Sequence, residues 1–291
     1  MSVLFIDADS ELPYEKVKEL NLDPKFIIKM PYTICDKEIF SDLGPSYNAK
    51  EFFGLVRAGN MPITSGLNAE LYKEYFEPYF KENEDILYVS FSTQMSGTFK
   101  YHDMAISELQ KKYPKAKYRR FDTKGISMAT GLCCYYAVKM HNEGKSNDEI
   151  YAFLQEFAPR VCATFTPKDL FYLKKGGRLS AAEAAIGTLL QIKPIIRLND
   201  EGKLYSASKV NGRMKALNTL ADEVTSRIVD VEKYPIVVVN ADCHEEAEKI
   251  IAKIKAKLPN ATVWDYDVGP VIGTHCGPDT IGCLYVSDSR V

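Results

Sequence analysis

Hydroxyl-bearing residues and glycines are grouped in a few short segments that precede predicted helices. Thr64-Ser65-Gly66 stands just before a helical stretch that starts near Asn68, and Ser96-Gly97-Thr98 follows a predicted strand and opens another helix. Serine and threonine side chains cap the free amide groups of a helix start, and the same amides can bind an anion. Two such segments can converge on one small negative group, although each alone is also explained as an ordinary helix cap.

Two further segments carry side chains that can bind a ligand. Asp9 lies in Asp7–Pro13, directly after a predicted strand, where an Asx-type turn explains it without a ligand. His275 is flanked by glycine, threonine and proline in Gly269–Pro278, a setting in which the backbone can approach a ligand closely. Because an imidazole can donate a hydrogen bond to a carboxylate or a phosphate, His275 is a candidate site residue. We expect a surface role for the other three histidines, which are His102, His141 and His244.

Positive charge is clustered at Lys174, Lys175 and Arg178, around the pair Gly176-Gly177 and ahead of another predicted helix. Such a cluster is most often a solvated face. In this cluster the two glycines make the backbone beside the positive charges flexible. An exposed arginine can contact an anionic partner or a transferring phosphoryl group. Both interpretations of Arg178 are therefore open.

Sequence signatures of the common catalytic centres are absent. The chain has no phosphate-binding loop of the G-x-x-x-x-G-K-[ST] type, no G-x-G-x-x-G fingerprint and no H-x-x-x-H zinc helix. The nearest approach to a hydrolase nucleophile elbow, Gly125–Ala129, lacks its second glycine. The seven cysteines contain no C-x-x-C pair, so we expect reduced, mostly buried thiols. The residues alone predict no catalytic group and no metal.

The composition is that of an ordinary globular chain, with 46% hydrophobic and 26% charged residues among 291. The 37 basic and 39 acidic side chains give a net charge of −2, which offers no bulk attraction for nucleic acid. The most apolar stretch, 126–138, is shorter than the ~20 residues of a membrane span and predicts a buried helix. The N-terminus lacks the features of a signal peptide, so we expect a cytoplasmic protein.

Short apolar runs of strand-like composition alternate with amphipathic stretches along the chain. Two of the latter, 214–228 and 245–258, place their apolar residues on one helical stripe. This alternation predicts an α/β protein whose N-terminal domain, 1–158, contains a mostly parallel sheet. Further on, Asn199–Gly202 separates two strand-like runs as a hairpin turn, which predicts a mixed sheet in a second α/β domain, 159–291, packed against the first. The predicted strands are 3–6, 86–91, 118–121, 161–165, 236–240 and 262–264.

Taken in order, these segments resemble the motifs of the DegV family of bacterial fatty-acid-binding proteins. The stretch 171–180, FYLKKGGRLS, is similar to the family's L-x-x-L-x-K-G-G-R-[IL]-S, and 269–278, GPVIGTHCGP, is similar to its G-x-x-I-G-x-H-x-G-P. The resemblance runs through nearly the whole chain, because shorter similarities lie at 7–13, 63–68, 91–98 and 192–196.

The resemblance implies two α/β domains, the first of the DegV (EDD-like) type, that hold one long-chain fatty acid as ligand and need no cofactor. In the family, the acyl carboxylate is hydrogen-bonded by residues that correspond here to Thr64, Ser65, Ser96, Gly97, Thr274 and His275. Such a protein is a lipid carrier without turnover, whose bound acid is converted by a separate ATP-dependent fatty-acid kinase into an acyl-phosphate for phospholipid synthesis. We assign Arg178 to kinase docking or phosphoryl contact, and we expect transient, peripheral membrane contact for lipid exchange.

This chain departs from the family pattern at three places, which affect the details of the site rather than the family. Ala8 and Asp9 stand where hydroxyl residues are common. The other departures are Leu67 and Asn68 in place of the usual proline and serine, and Asp279-Thr280 in place of small residues after the histidine motif.

Two other functions are open. A serine-dependent acyl hydrolase would use Ser96 or Ser65 with His275, and it predicts slow ester hydrolysis that Ser96→Ala abolishes. Against it stand the missing nucleophile elbow and the lack of a clear third residue to orient the histidine. The other alternative is a regulatory domain that senses a different small anion.

Overall fold

The computed structural model describes residues 2–180 and 191–290 of the chain. These residues form two compact units, and the chain passes between the units three times rather than once. The first unit comprises the chain up to Ser46 and Ile63–Ala158, and the second comprises Tyr47–Pro62 and the chain from Pro159 onward.

The predicted division at 158/159 assigns segment 47–62 to the N-terminal domain, whereas in the structure this segment belongs to the second unit. It contains helix α2, Ala49–Arg57, whose buried residues include Phe52 and Phe53. The rings of these two phenylalanines lie against Gly273, far along the chain in the second unit. A local amphipathic pattern predicts such a helix but not the surface on which it packs, so the assignment of this segment is a tertiary effect.

A parallel sheet forms the centre of the first unit. Three of its four strands coincide with predicted strands, and their buried positions hold aromatic and β-branched residues such as Phe5, Ile86 and Val89. The prediction of a mostly parallel sheet in the N-terminal part is therefore confirmed. In spatial order the strands are Ile27–Ile28 (β2), Ser2–Asp7 (β1), Asp85–Ser90 (β6) and Lys117–Asp122 (β7).

A small antiparallel sheet in the first unit holds strand β5, Ile63–Thr64. Its central strand is β3, Met30–Ile34, which pairs with β5 on one side and with β4, Lys37–Ser41, on the other. Cys35 and Asp36 have φ values of 51° and 59° and form the two-residue turn between β3 and β4. Positive φ at both positions gives the turn a twist that matches the flanking strands.

Five α-helices surround these sheets in the described part of the first unit. The helix labelled α5 is the buried helix that the apolar stretch 126–138 predicts, and this prediction is confirmed. Another begins with a reciprocal cap between Ser146 and Glu149, which satisfies two backbone amides at its start. The helices are Tyr14–Glu19 (α1), Ala69–Lys81 (α3), Thr98–Lys112 (α4), Met128–Asn142 (α5) and Asn147–Phe157 (α6).

The second unit is built on a six-stranded mixed sheet. In spatial order its strands are Leu204–Asn211 (β10), Ile192–Leu198 (β9), Val161–Thr166 (β8), Ile281–Val286 (β13), Ile236–Asn240 (β11) and Val263–Asp267 (β12). Strands β11 and β12 are parallel, whereas the other neighbouring pairs are antiparallel. Strands β9 and β10 form the predicted hairpin, with a bulge between Ser206 and Ser208. The mixed sheet, and with it the α/β fold class, is confirmed.

Two long helices cover this sheet through their apolar stripes. Leu217 and Leu220 of one and Ile250 and Ile254 of the other belong to the buried core of the unit. Both helices coincide with the stripes that the sequence predicts, whereas the helix predicted after Ser180 lies outside the described residues. Besides α2, the described helices of this unit are Phe171–Lys175 (α7), Arg213–Arg227 (α8), His244–Lys257 (α9) and Pro270–Cys276 (α10).

Three general properties concern the described residues. None of their helices is both long and apolar enough to cross a membrane. Within the same ranges, no group of three or more histidine, cysteine, aspartate or glutamate side chains is arranged to hold a metal ion. The seven cysteines are free thiols, of which five are buried, Cys243 is half-buried and Cys35 is exposed.

Candidate functional site

The carboxyl ends of the parallel strands in the first unit carry polar residues. Asp7 ends β1, Ser92 follows β6 and Thr123 follows β7. In open α/β sheets this edge is where ligands bind. The Ser92 amide donates to the Gly125 carbonyl at 2.8 Å, and the buried Thr123 hydroxyl donates to the Ser90 carbonyl at 2.9 Å. These two residues therefore tie the loops of this edge together.

Thr64 and Ser65 lie where β5 ends. Thr64 pairs with Tyr32 of β3, and the Ser65 amide donates to the Pro31 carbonyl at 3.1 Å, so the sheet holds the backbone of both residues. Thr64 is half-buried and Ser65 is exposed. The Ser65 hydroxyl is thus presented at the surface from a fixed backbone.

Ser96 and Gly97 form the turn that starts helix α4. Ser96 Oγ accepts a hydrogen bond from the Thr98 amide at 3.2 Å, and Gly97 occupies the N-cap position without a side chain that could cap the helix. Ser96 is half-buried and Gly97 is exposed. The amides of a helix start, together with the positive end of the helix dipole, can bind an anion.

Thr98 brings these two segments together. Its hydroxyl oxygen accepts from the Leu67 amide at 3.0 Å and lies 3.0 Å from the Tyr72 hydroxyl. A Cβ on Gly66 would lie only 3.1 Å from Thr98 Cβ, so the loop after Ser65 passes directly over the start of α4. Sequence reasoning missed Thr98 as a link. The predicted donors of the first unit therefore lie in two adjoining segments: Thr64, Ser65, Ser96 and Gly97.

Three buried carboxyl groups lie at the end of β1 and in the turn that follows it. Asp7 is fully buried and accepts hydrogen bonds from the Tyr88 hydroxyl at 2.6 Å and the Asp9 amide at 3.1 Å. Burial raises the pKa of Asp7 to about 7, although both hydrogen bonds favour its ionised form. Glu11 accepts a hydrogen bond from the Ser127 hydroxyl just before α5. The Asx-type turn expected of Asp9 is made by Asp7 instead, and Asp9 is itself buried.

His275 lies in the last turn of helix α10 in the second unit, rather than in a loop. Packing accounts for one of the glycines beside it, because a Cβ on Gly273 would collide with the rings of Phe52 and Phe53. Burial, and secondarily the positive charge of Arg178, lower the pKa of His275 to about 4. The imidazole is therefore neutral near pH 7, with one nitrogen as a donor and the other as an acceptor.

The ends of helices α10 and α7 pack together through two side-chain rings, each of which lies against a glycine. The His275 ring lies so close to Gly176 that a Cβ there would overlap its Nδ1. In the same way, a Cβ on Gly277 would overlap the ring of Tyr172, and the φ of 75° at Gly277 also favours glycine. The first contact places the imidazole directly against the backbone at the end of α7.

Thr274 and Arg178 make hydrogen bonds within the second unit. Thr274 Oγ1 donates to the Pro270 carbonyl at 2.8 Å, one turn earlier in α10, and its side chain is buried. Arg178 is half-buried, and its guanidinium donates to the carbonyl of Gly176, the residue on which the His275 ring rests. The structure thus brings His275 and Arg178 together, whereas the Thr274 hydroxyl proton is directed into its own helix.

Comparisons with known proteins decide the family. The model of the DegV family, described as uncharacterised proteins, matches residues 3–288 of this chain. A DegV domain-containing protein of Clostridium perfringens is 37% identical over 288 residues, which are 99% of this chain and 98% of that protein. The chain belongs to the DegV family.

Two solved structures of similar proteins have the same fold. A stearic-acid-binding protein from Eubacterium ventriosum matches with a TM-score of 0.83 at 20% identity, over 99% of each chain. DegV from Bacillus subtilis, described as a fatty-acid-binding protein, matches with a TM-score of 0.79 at 25% identity, over 98% of each chain.

Two departures from the usual DegV pattern have a structural role in the first unit. Leu67 stands where proline is usual, and its amide makes the hydrogen bond to Thr98 that a proline cannot make. Asn68 stands where serine is usual, and its side-chain oxygen caps helix α3 by accepting from the Leu71 amide at 2.9 Å. The DegV loop after Ser65 is therefore held at both ends in this chain.

Asp279, which replaces a small residue of the DegV pattern, is the centre of an ion-pair network after α10. It pairs with Arg57 at 2.8 Å and with Lys168 at 3.4 Å. Arg57, at the end of α2, also pairs with Asp242. Asp279 has a φ of 58°, in the left-handed region that aspartate tolerates. The network ties α2 to the turn that follows His275.

The prediction of a surface role is wrong for one histidine of this DegV chain. The side chain of His102 is only 2% exposed and lies on the inner face of α4. Its Nε2 lies 2.5 Å from the Tyr118 hydroxyl, and its Nδ1 lies 2.9 Å from the guanidinium of Arg120. Burial lowers the pKa of His102 to about 4. His244, by contrast, begins α9 with a side chain that is 59% exposed.

Proposed function

We propose that this protein binds one long-chain fatty acid and buries its acyl chain. The observation that carries the proposal is the pairing of two donor segments in the first unit, Ser65 at a fixed strand end and Ser96-Gly97 at the start of α4. Hydroxyl and amide donors at a helix start suit a carboxylate, whose oxygens only accept. The fatty-acid binding described for the similar proteins of E. ventriosum and B. subtilis supports the same ligand class here. The proposed carboxylate ligands are Thr64, Ser65, Ser96, Gly97, Thr274 and His275.

The second unit would contribute a neutral donor. His275 is uncharged near pH 7, because burial holds its pKa at about 4. A neutral imidazole donates one hydrogen bond to the carboxylate, and the negative charge of the ligand raises the pKa of His275 towards its ordinary value. The Thr274 hydroxyl donates to the Pro270 carbonyl at 2.8 Å and has to rotate to reach a ligand, so we assign it the smaller part.

The acyl chain supplies the affinity in this proposal. Burial of about fourteen methylene groups contributes roughly 11 kcal/mol, at ~0.8 kcal/mol each. Association costs about 4–15 kcal/mol in translational and rotational freedom. The head-group donors therefore fix the position of the carboxylate rather than supply most of the binding free energy.

The fixed carboxylate is the group on which a partner would act. We propose that the protein is a cytoplasmic carrier without turnover of its own, loaded through transient, peripheral membrane contact. A separate fatty-acid kinase then phosphorylates the bound carboxylate with ATP, towards phospholipid synthesis. We assign Arg178 to kinase docking or phosphoryl contact, which its position beside Gly176 and the His275 ring supports.

Denaturing extraction of the purified protein, followed by mass spectrometry of the extract, tests the proposed function. We expect near-stoichiometric free fatty acid, whose length and unsaturation define the specificity. Protein that carries no fatty acid and takes up neither palmitate nor oleate contradicts the proposal. Ester hydrolysis that disappears in Ser96→Ala supports the acyl hydrolase instead.

A further inference from the structure

We propose that Thr98 is a positioning residue, which holds the two carboxylate-binding segments of the first unit at a fixed separation. This inference rests on the proposed function, because it concerns the same head-group site. Thr98 needs no contact with the fatty acid, since its side chain is only 2% exposed. It acts through the backbone that carries Ser65 and Ser96.

The hydrogen bonds of Thr98 join the two segments directly. Its hydroxyl oxygen accepts from the Leu67 amide at 3.0 Å and lies 3.4 Å from the Leu67 carbonyl. Leu67 is two residues after Ser65, so this contact closes the loop that begins at β5. The Thr98 amide donates to Ser96 Oγ at 3.2 Å. One residue therefore bonds Ser96 through its backbone and the Ser65 loop through its side chain.

Close packing reinforces these bonds. A Cβ on Gly66 would lie 3.1 Å from Thr98 Cβ and 3.3 Å from its Cα, which is tighter than ordinary van der Waals contact. The loop backbone thus lies directly against Thr98, and a methyl group on Gly66 would require a neighbour to shift by a few tenths of an ångström. Leu67, the next residue, is 1% exposed and anchors the loop in the core. A shift of Thr98 is therefore transmitted to the loop.

Leu67 supplies the backbone donor of the contact with Thr98. A proline at this position has no N–H and could not bond to the Thr98 hydroxyl. The other partner of that hydroxyl is Tyr72 of α3, at 3.0 Å, and this contact does not involve the Ser65 loop. The same oxygen atom thus takes part in two contacts that join the two segments, both with Leu67, and in one that does not.

Three variants separate positioning from general stability. Thr98→Val keeps the shape of the side chain and removes its hydroxyl, whereas Thr98→Ser keeps the hydroxyl. Tyr72→Phe is the matched control, because it removes the other contact of the same oxygen and leaves the Leu67 bond in place. The probe is palmitate labelled with ¹³C at its carboxyl. The readouts are its affinity, the ¹³C chemical shift of the bound carboxyl, and amide hydrogen exchange at Leu67 in delipidated protein.

We expect Thr98→Val to bind palmitate about three- to tenfold more weakly, to shift the carboxyl resonance and to speed exchange of the Leu67 amide. Thr98→Ser and Tyr72→Phe should stay within about twofold of wild type, with the wild-type resonance. If Thr98→Val does not fold, Leu67→Pro should give the same shift of the resonance, because it leaves Thr98 in place and removes the donor, together with the buried leucine side chain.

Two results overturn the inference while the proposed function stands. One is an unchanged carboxyl resonance and affinity in Thr98→Val when wild-type protein binds palmitate. The other is an equal loss of affinity in Thr98→Val and Tyr72→Phe, which would assign the effect to buried hydrogen bonding in general. Wild-type protein that binds no palmitate overturns the proposed function, and the positioning role falls with it.

Discussion

Gly176 gives the most direct control over the position of the His275 imidazole. Its φ of −73° is one that any residue adopts, so an alanine there strains no backbone. The added Cβ, however, would overlap His275 Nδ1 and lie 3.2 Å from Cε1. Because ordinary contact begins near 3.4 Å, the ring has to move away by about 1 Å.

A displacement of about 1 Å stretches a hydrogen bond of ~2.9 Å beyond the range in which it contributes. We therefore expect Gly176→Ala to weaken palmitate binding about three- to tenfold, because the head-group bond of His275 is lost. Overpacking should also lower the free energy of unfolding by about 1–3 kcal/mol. Isothermal titration of delipidated protein measures the first effect, and urea denaturation measures the second.

Two controls assign the loss of affinity to His275. Gly177→Ala strains a backbone with a φ of 70°, but its Cβ would meet nothing within 4 Å, so stability should fall while affinity is kept. In a double-mutant cycle, Gly176→Ala should cause no further loss once His275 has been replaced by alanine. Wild-type affinity in folded Gly176→Ala, or an equal further loss in the His275→Ala background, would refute the head-group role of His275.

Three other perturbations test separate parts of the argument. His275→Ala should keep palmitate affinity within about tenfold but impair phosphorylation by the kinase, because the acyl chain supplies most of the binding free energy; loss of all lipid binding in folded protein contradicts this division. Burial holds the pKa of His102 at about 4, whereas a histidine in the unfolded chain has a pKa of ~6.5. Because the unfolded chain therefore binds a proton first as the pH falls, up to about 3 kcal/mol of the free energy of unfolding is lost between pH 6.5 and about pH 4. Urea denaturation across this pH range should show a smaller decrease in the free energy of unfolding for His102→Gln than for wild type, and an equal decrease would contradict the role of His102. Arg57→Ala should lower the free energy of unfolding by about 1 kcal/mol at low salt and by less in about 1 M salt, because its partly exposed pairs with Asp242 and Asp279 are screened; the same difference at both salt concentrations speaks against the ion pairs.

The sequence predicts the fold best where a pattern is long and local. The stripe 245–258 predicts helix α9, His244–Lys257, to within one residue, because apolar residues recur there with helical spacing. The hairpin of β9 and β10 is predicted by a polar turn between two apolar runs. Both patterns depend only on residues that are close together in the chain.

The small sheet of the first unit could not be predicted in this way. Strand β5 has two residues, and an alternating pattern needs about four to be recognised. Strands β4 and β5 contain exposed hydrophobic residues, which are Ile39, Phe40 and Ile63. Their sequences therefore do not alternate between apolar residues on a buried face and polar residues on a solvent face. The place of α2 depends on Gly273, a contact that is remote in sequence. Tertiary partners, rather than local preference, decide these elements.

The donor segments of the site were visible in the sequence because serine, threonine and glycine gather before helices. Thr98 was missed as a link because its partner Leu67 is 31 residues away, and a bond between segments leaves no local pattern. The expected surface role of His102 is wrong, although the sequence contains a signal that His102 is buried. The buried residues Phe99, His102 and Leu109 share one face of α4 at helical spacing, and this outweighs the charged neighbours of His102 in sequence.

The three crossings between the units set the order in which the protein can be completed during translation. Helix α2 leaves the ribosome about 100 residues before the chain that begins at Pro159. Phe52 and Phe53 therefore stay uncovered until the rest of the second unit, including Gly273, has been synthesised. The first unit can fold before the second is complete, because the chain up to Ser46 and the chain from Ile63 both belong to it. The second unit then folds onto a helix that is already tethered at both ends, which reduces the entropy lost on loop closure. A fragment ending at residue 158 would carry a helix without its core, and the aggregation of such fragments is the hazard that this chain order creates.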